Sequence, residues 1–124
     1  MKLLFISSDN NRTSGAFLCL AELARCLRER HGVESLVVLP KKGDGAALLD
    51  RYGIPYRYVP SYSWVTYLGC SPAAVAKSGF KAAASLYNRR AIRQIRQIIR
   101  EEQPDLVQTN TIFSYVGAVA VSSL

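Results

Sequence analysis

Leu3-Leu4-Phe5-Ile6 runs into Ser7-Ser8-Asp9-Asn10-Asn11-Arg12-Thr13-Ser14-Gly15, and Phe17, Leu20, Leu23, Ala24 and Leu27 then recur at spacings of three and four. A short, continuous apolar run bounded by polar residues is the pattern of a strand covered on both faces in a parallel sheet. The spacing that follows, with Glu22, Arg25 and Glu29 on the opposite side, is that of an amphipathic helix. Gly32 stands where a left-handed residue closes a helix, and Leu36-Val37-Val38-Leu39 gives a second buried strand ended by Pro40. The opening is a β-α-β unit.

The alternation continues outward from it. A short helix is predicted near Ala46 to Arg51, stopped at Gly53, and a strand at Tyr56 to Val59, stopped at Pro60. Ser61 to Ser71 is aromatic and irregular. A long helical stretch from Pro72 to Glu102, broken near Ser78-Gly79, carries an apolar stripe of Leu86, Ile92, Ile95 and Ile99. Pro104 precedes a fourth strand, Asp105 to Thr109, and another helix begins at Phe113. Strands alternating with helices predict the α/β class: a doubly wound, Rossmann-like parallel sheet with helices on both faces and right-handed crossovers. Val116 to Leu124 is small and apolar and lacks a closing signal, so the reading expects residues 1–124 to be one domain cut inside an unfinished unit.

Composition bounds the function classes. With 124 residues, 49% of them apolar and 20% charged, the chain suits a single globular domain or part of one. Its formal net charge of +7 favours acidic partners such as phosphates, anionic lipid or nucleic acid without choosing among them. Cys19, Cys26 and Cys70 form neither a disulfide framework nor a zinc-ligand pattern, so no metal is expected and a reducing, cytoplasmic setting fits. The first apolar run is too short for a signal peptide, and no window approaches the roughly 20 apolar residues of a membrane span.

Ligands of such sheets sit beyond the carboxyl ends of the strands, which makes the loops there the informative ones. After the first strand, Ser14 can cap the helix and Gly15 can let a ligand approach free amides at its positive end; a capped helix start with no ligand is the alternative. No G-x-G-x-x-G is present, and Gly43-Asp44-Gly45 follows the second strand, not the first. Tyr62, Trp64 and Tyr67 suit stacking on a sugar or against an acyl chain, or packing over the sheet edge. Arg89, Arg93, Arg96 and Arg100 are spaced to share a solvent-facing stripe, either a surface for anionic lipid or an ordinary solvated face. His31, in the last turn of the first helix, complements the helix dipole, and Cys19 and Cys26 are expected in or near the core. An acidic phospho-acceptor after the third strand is missing, since that place reads Pro60-Ser61-Tyr62.

The order of these segments resembles the opening of glycosyltransferases of the GT-B fold, family 4 type. Met1 to Ser7, Ser14-Gly15-Ala16 opening a helix, Leu48-Leu49-Asp50-Arg51-Tyr52-Gly53-Ile54, and Pro104-Asp105-Leu106-Val107-Gln108-Thr109-Asn110-Thr111 carry the likeness over nearly the whole chain. It departs from the family's pattern at Gln108, where many relatives have histidine, and in the displaced His31. The donor-binding C-terminal domain is not within these 124 residues.

The resemblance implies the N-terminal, acceptor-side domain of an enzyme that moves a sugar from a nucleotide-sugar donor to an acceptor hydroxyl, with retention and without an essential metal or other cofactor. It assigns Ser14 and Gly15 to the donor's phosphate and sugar, and Tyr62, Trp64, Tyr67, Asn110 and Thr111 to a glycan or lipid-linked acceptor. No catalytic residue falls within this stretch. A role in cell-envelope polysaccharide synthesis, peripheral on the inner face of the membrane, is the corresponding setting. The competing class is a non-enzymatic basic α/β module binding anionic lipid or another polyanion; no nucleic-acid motif is visible.

Overall fold

The computed structural model describes residues 1–61, 88–110 and 115–122. Its elements are β1 (Lys2–Ile6), α1 (Gly15–His31), β2 (Glu34–Leu39), α2 (Gly45–Tyr52), β3 (Tyr56–Tyr58), α3 (described over residues 88–102), β4 (Leu106–Thr109) and α4 (Tyr115–Ser122). The strands form one sheet in the order β3-β2-β1-β4. Every pairing is parallel: Leu4 stands opposite Leu36 and Val107, and Val37 stands opposite Tyr56. The doubly wound α/β expectation is borne out.

Period-two alternation along β1 builds the two layers. Leu3 and Phe5 join Val37, Leu39 and the inner residues of α1 and α2 in one cluster, whereas Leu4 and Ile6 join Leu36, Val38, Ala91, Ile95, Ile98, Val116 and Ala120 in the other. Fully burying one such aliphatic side chain is worth about 1.5–3 kcal/mol, so both faces contribute substantially to stability.

The expected caps form. Gly32 and Gly53 adopt φ of +64° and +68° and donate their N–H groups back to helix carbonyls, a conformation that glycine enters without a Cβ clash. Ser14 begins α1, its hydroxyl accepting from the Phe17 amide at 3.4 Å.

The inner face of α1 differs from the expected stripe. It consists of Phe17, Leu20, Ala21 and Ala24, with Leu27 partly buried; Leu23 is 41% exposed and Cys19 is exposed, so neither belongs to the core. The helix meets the sheet along the row carrying Phe17 and Ala21. On α3 the buried row is Asn88, Ala91, Ile95 and Ile98, with Ile92 and Ile99 only partly covered. β3 ends at Tyr58, one residue short of the expected end: Val59 donates to the Leu39 carbonyl at 2.9 Å, and Pro60 follows.

At the amino end of the sheet Lys2 and Arg57 meet the last turn of α3. Lys2 pairs with Glu102, and Arg57 reaches Glu101 at 3.0 Å and Glu102 at 2.6 Å. The hydrogen bond from Lys2 holds the Glu102 carboxyl below its ordinary range, and bonds from Gln97 and then Arg57 do the same for Glu101. This tie is therefore present at neutral pH and fades as pH falls through the lowered values. The groups are partly exposed, which keeps its weight small.

α4 is apolar on all sides and crosses the ends of β1 and β4 at Gly117. A Cβ built there would lie 2.7 Å from Ile6 Cγ1 and 2.9 Å from Thr109 Cγ2. Among the described residues no helix is long and apolar enough to cross a membrane. Gly117→Val should lower stability by about 1–3 kcal/mol through overpacking, read as a lower urea midpoint with an unchanged slope. An unchanged midpoint would mean that α4 does not rest on Ile6.

Candidate functional site

The strand order reverses between β1 and β4, since β2 and β3 lie to one side of β1 and β4 lies on the other. At such a switch point the loops leaving adjacent strands diverge to opposite faces and open a crevice. The described chain that flanks this switch point is Ser7 to Ser14 after β1 and Asn110 after β4.

The first-turn amides of α1 have no carbonyl a turn behind them. Phe17 donates to the Ser14 hydroxyl and Leu18 to the Ser14 carbonyl at 3.0 Å, leaving Gly15 and Ala16 as open donors among the described residues. A Cβ built on Gly15 meets nothing within 4 Å. Among the described residues the space beside it is open, and no packing between them requires glycine there.

Ser14, expected as a phosphate ligand, has its hydroxyl engaged twice: it accepts from Phe17 and donates to Asp9 Oδ2 at 2.7 Å. What faces the crevice is therefore backbone amide, with the Asp9 carboxylate held at the positive end of the helix. Asn110, expected to touch an acceptor, donates its side-chain amide to the Ala16 carbonyl at 3.1 Å and its backbone N–H to the Ile6 carbonyl at 2.9 Å.

Sequence reasoning missed the brace on the other side of the loop. Asn10 is 2% exposed, and its side-chain amide donates to the Lys41 carbonyl at 3.0 Å. A Cβ on Gly43 would fall 2.0 Å from the Asn10 carbonyl oxygen, and one on Gly45 would fall 2.7 Å from Asn10 Oδ1 and from the Phe17 ring. Asp44 closes the contact by accepting from the Arg12 amide at 2.9 Å. The signal was the glycine pair Gly43 and Gly45, whose role is packing loop against loop. Arg12, Lys41 and Lys42 are exposed on these loops.

Tyr62, Trp64, Tyr67 and Thr111 lie outside the described residues, as does Cys70. Arg89, Arg93 and Arg100 are exposed on α3, but Arg96 is half-buried, because it borders the covered row of that helix and departs from the expected stripe. His31 is exposed beside Arg28 and Arg30 in the last turn of α1. Among the described residues no cluster of three potential metal ligands occurs.

A pocket of about 330 Å³ lies at the opposite, amino end of the sheet, between Arg28, Ser35, Ile54, Tyr56 and Arg57. It exists because β3 pairs with β2 only from Val37 onward, and Pro55 has no N–H to extend the ladder toward Ser35. It is remote from the switch point and takes no part in the crevice.

No family model matches the sequence, and no curated protein does. Solved structures do match. HepE of Anabaena, determined with UDP, with UDP and glucose, and with UDP-glucose, aligns at 26% identity and a TM-score of 0.64 over 98–99% of this chain. MurG of Acinetobacter baumannii aligns over 98% at a TM-score of 0.69 and 16% identity, a likeness of fold alone. The chain spans 26–32% of the length of these structures.

The crevice geometry makes a contrasting prediction for two glycines. Gly43→Ala should destabilise by about 1–3 kcal/mol, because its Cβ meets backbone, whereas Gly15→Ala should change stability by less than about 0.5 kcal/mol. Equal urea midpoints for the two variants would contradict the packing described. The matches to HepE and MurG bear out the GT-B resemblance without distinguishing family 4 within it.

Proposed function

We propose that this chain is the N-terminal, acceptor-side domain of a GT-B glycosyltransferase, in which the first turn of α1 faces the diphosphate of a nucleotide-sugar donor. The observation that carries this reading is the open pair of amides at Gly15 and Ala16, set at the switch point of a fold shared with a protein that binds UDP and UDP-glucose. Fixed amide dipoles need no reorganisation as charge builds on a leaving diphosphate, which is the condition for stabilising a transition state. Arg12, Lys41 and Lys42 add three positive charges to the crevice mouth against Asp9 and Asp44. The acceptor is a glycan or a lipid-linked sugar, for which Tyr62, Trp64, Tyr67 and Thr111 are the candidate contacts. Transfer proceeds with retention and without an essential metal, and the remaining donor contacts come from a second domain.

Two outcomes follow for the enzyme. The 124-residue chain alone should turn over no nucleotide sugar above a buffer control, because half of the cleft is not within it. In the longer polypeptide this reading requires, Gly15→Asp should lower kcat/KM for the donor by about tenfold or more through charge and through filling the open space, while the fold survives. Unchanged donor kinetics would reduce Gly15 to a helix start.

A peripheral membrane setting rests on the basic face of α3. With Ile95 and Ile98 turned to the sheet, attraction to lipid has to be electrostatic, at about 1 kcal/mol per cation near the surface. Replacing Arg89, Arg93 and Arg100 by Gln should reduce co-sedimentation with anionic vesicles at low salt. Raising salt to 1 M, which shortens the Debye length from about 10 Å at 0.1 M to about 3 Å, should do the same to the parent. Binding indifferent to both changes would leave these arginines as a solvated face and remove the membrane setting.

A further inference from the structure

We propose that Asn110 is a positioning residue: it fixes the first turn of α1 against the carboxyl end of β4, and so acts on a bound diphosphate through the Gly15 and Ala16 amides. The part concerning the diphosphate rests on the function proposed above; the positioning does not.

The need for such a residue follows from the topology. β1 and β4 are hydrogen-bonded neighbours, yet α1 and α4 leave them for opposite faces of the sheet. The cluster that buries Phe17 and the rest of the inner face of α1 contains no residue of β4, so packing ties the first turn to β4 only through β1. Eight residues, Ser7 to Ser14, separate the end of β1 from the start of α1, enough chain for that turn to shift.

Asn110 spans the gap with both of its nitrogen donors. Its backbone N–H holds the Ile6 carbonyl at 2.9 Å and continues the sheet one residue beyond β4, and its side-chain amide holds the Ala16 carbonyl at 3.1 Å. Only the nitrogen of the side-chain amide can face a carbonyl, which fixes the orientation of the group. A carboxylate of the same shape offers no donor there. On the other flank the buried Asn10, wedged against Gly43 and Gly45, holds the middle of the same loop. The start of α1 is thus tied to β4 and to the loop after β2, with no ligand needed to order it. Displacements of about 1 Å in such a frame are enough to weaken charge-directed contacts severely.

The test uses the 124-residue chain with Asn110→Asp, which keeps the shape and removes the donor, and Asn110→Ala. Amide hydrogen exchange at residues 17–20 is measured without ligand, with residues 21–24 as the internal reference, and UDP affinity is measured by calorimetry. Exchange at residues 17–20 should rise several-fold in both variants while the reference stays level, and UDP affinity should fall about three- to tenfold in Asn110→Ala, the range of one lost hydrogen bond. Unchanged exchange in Asn110→Asp overturns the proposal, as does a rise spread equally over the reference residues. If Asn110→Ala fails to fold, Asn110→Ser takes its place in both measurements. A parent chain that binds no UDP, in which exchange still responds to the substitutions, supports the positioning and counts against the nucleotide reading, so the two failures remain separate.

Discussion

Everything in this molecule depends on β1 being paired in parallel on both sides. A strand in that place has no solvent face, so each of Leu3, Leu4, Phe5 and Ile6 has to be apolar, and successive residues serve different layers. Phe5 anchors the layer under α1 and α2, and Leu4 anchors the one under α3 and α4. The same pairing makes β1 the strand at which the order reverses. The crevice is a consequence of the core.

The two ends of the sheet are built differently. At the amino end charged side chains meet at partly exposed ion pairs, an arrangement that orients α3 more than it stabilises the fold. At the carboxyl end the contacts include uncharged amides and glycines, Asn10 on Lys41, Asn110 on Ala16, and Gly43 and Gly45 against Asn10, beside the Asp9 and Asp44 carboxylates that accept from Ser14 and Arg12. Neutral hydrogen bonds and close backbone contact keep their strength across pH and salt, which suits a frame that presents amide donors to an anion. The pocket at the amino end lies where Pro55 ends a ladder.

Most of the fold was legible because it rests on local rules. The apolar runs at Leu3 to Ile6 and Leu36 to Leu39, the glycines at 32 and 53, and Ser14 each specify a backbone conformation by their own chemistry. What was misread depended on tertiary packing. Leu23 and Cys19 fit a helical stripe by spacing, yet the sheet touches a narrower row of α1. Arg96 fits the basic stripe but borders the buried row of α3. At the site the loop and Gly15 were visible, whereas the engagement of Ser14 by Asp9 and of Asn110 by Ala16 was not, because hydrogen bonds between residues five and 94 positions apart leave no periodic trace. The pair Gly43 and Gly45 was noticed and given no role, since its partner is Asn10, more than 30 residues earlier.

The central claim is that anionic ligand chemistry belongs to the switch-point end of the sheet, at the start of α1. The measurement that tests it most directly is a titration of the chain with UDP, followed residue by residue through amide nitrogen–proton correlation spectra. The largest shifts should fall at Gly15 and Ala16, with smaller ones at Asp9 and Asn110. Shifts centred on Lys2, Arg28 and Arg57 at the amino-end pocket, or none along residues 7–16, would contradict it.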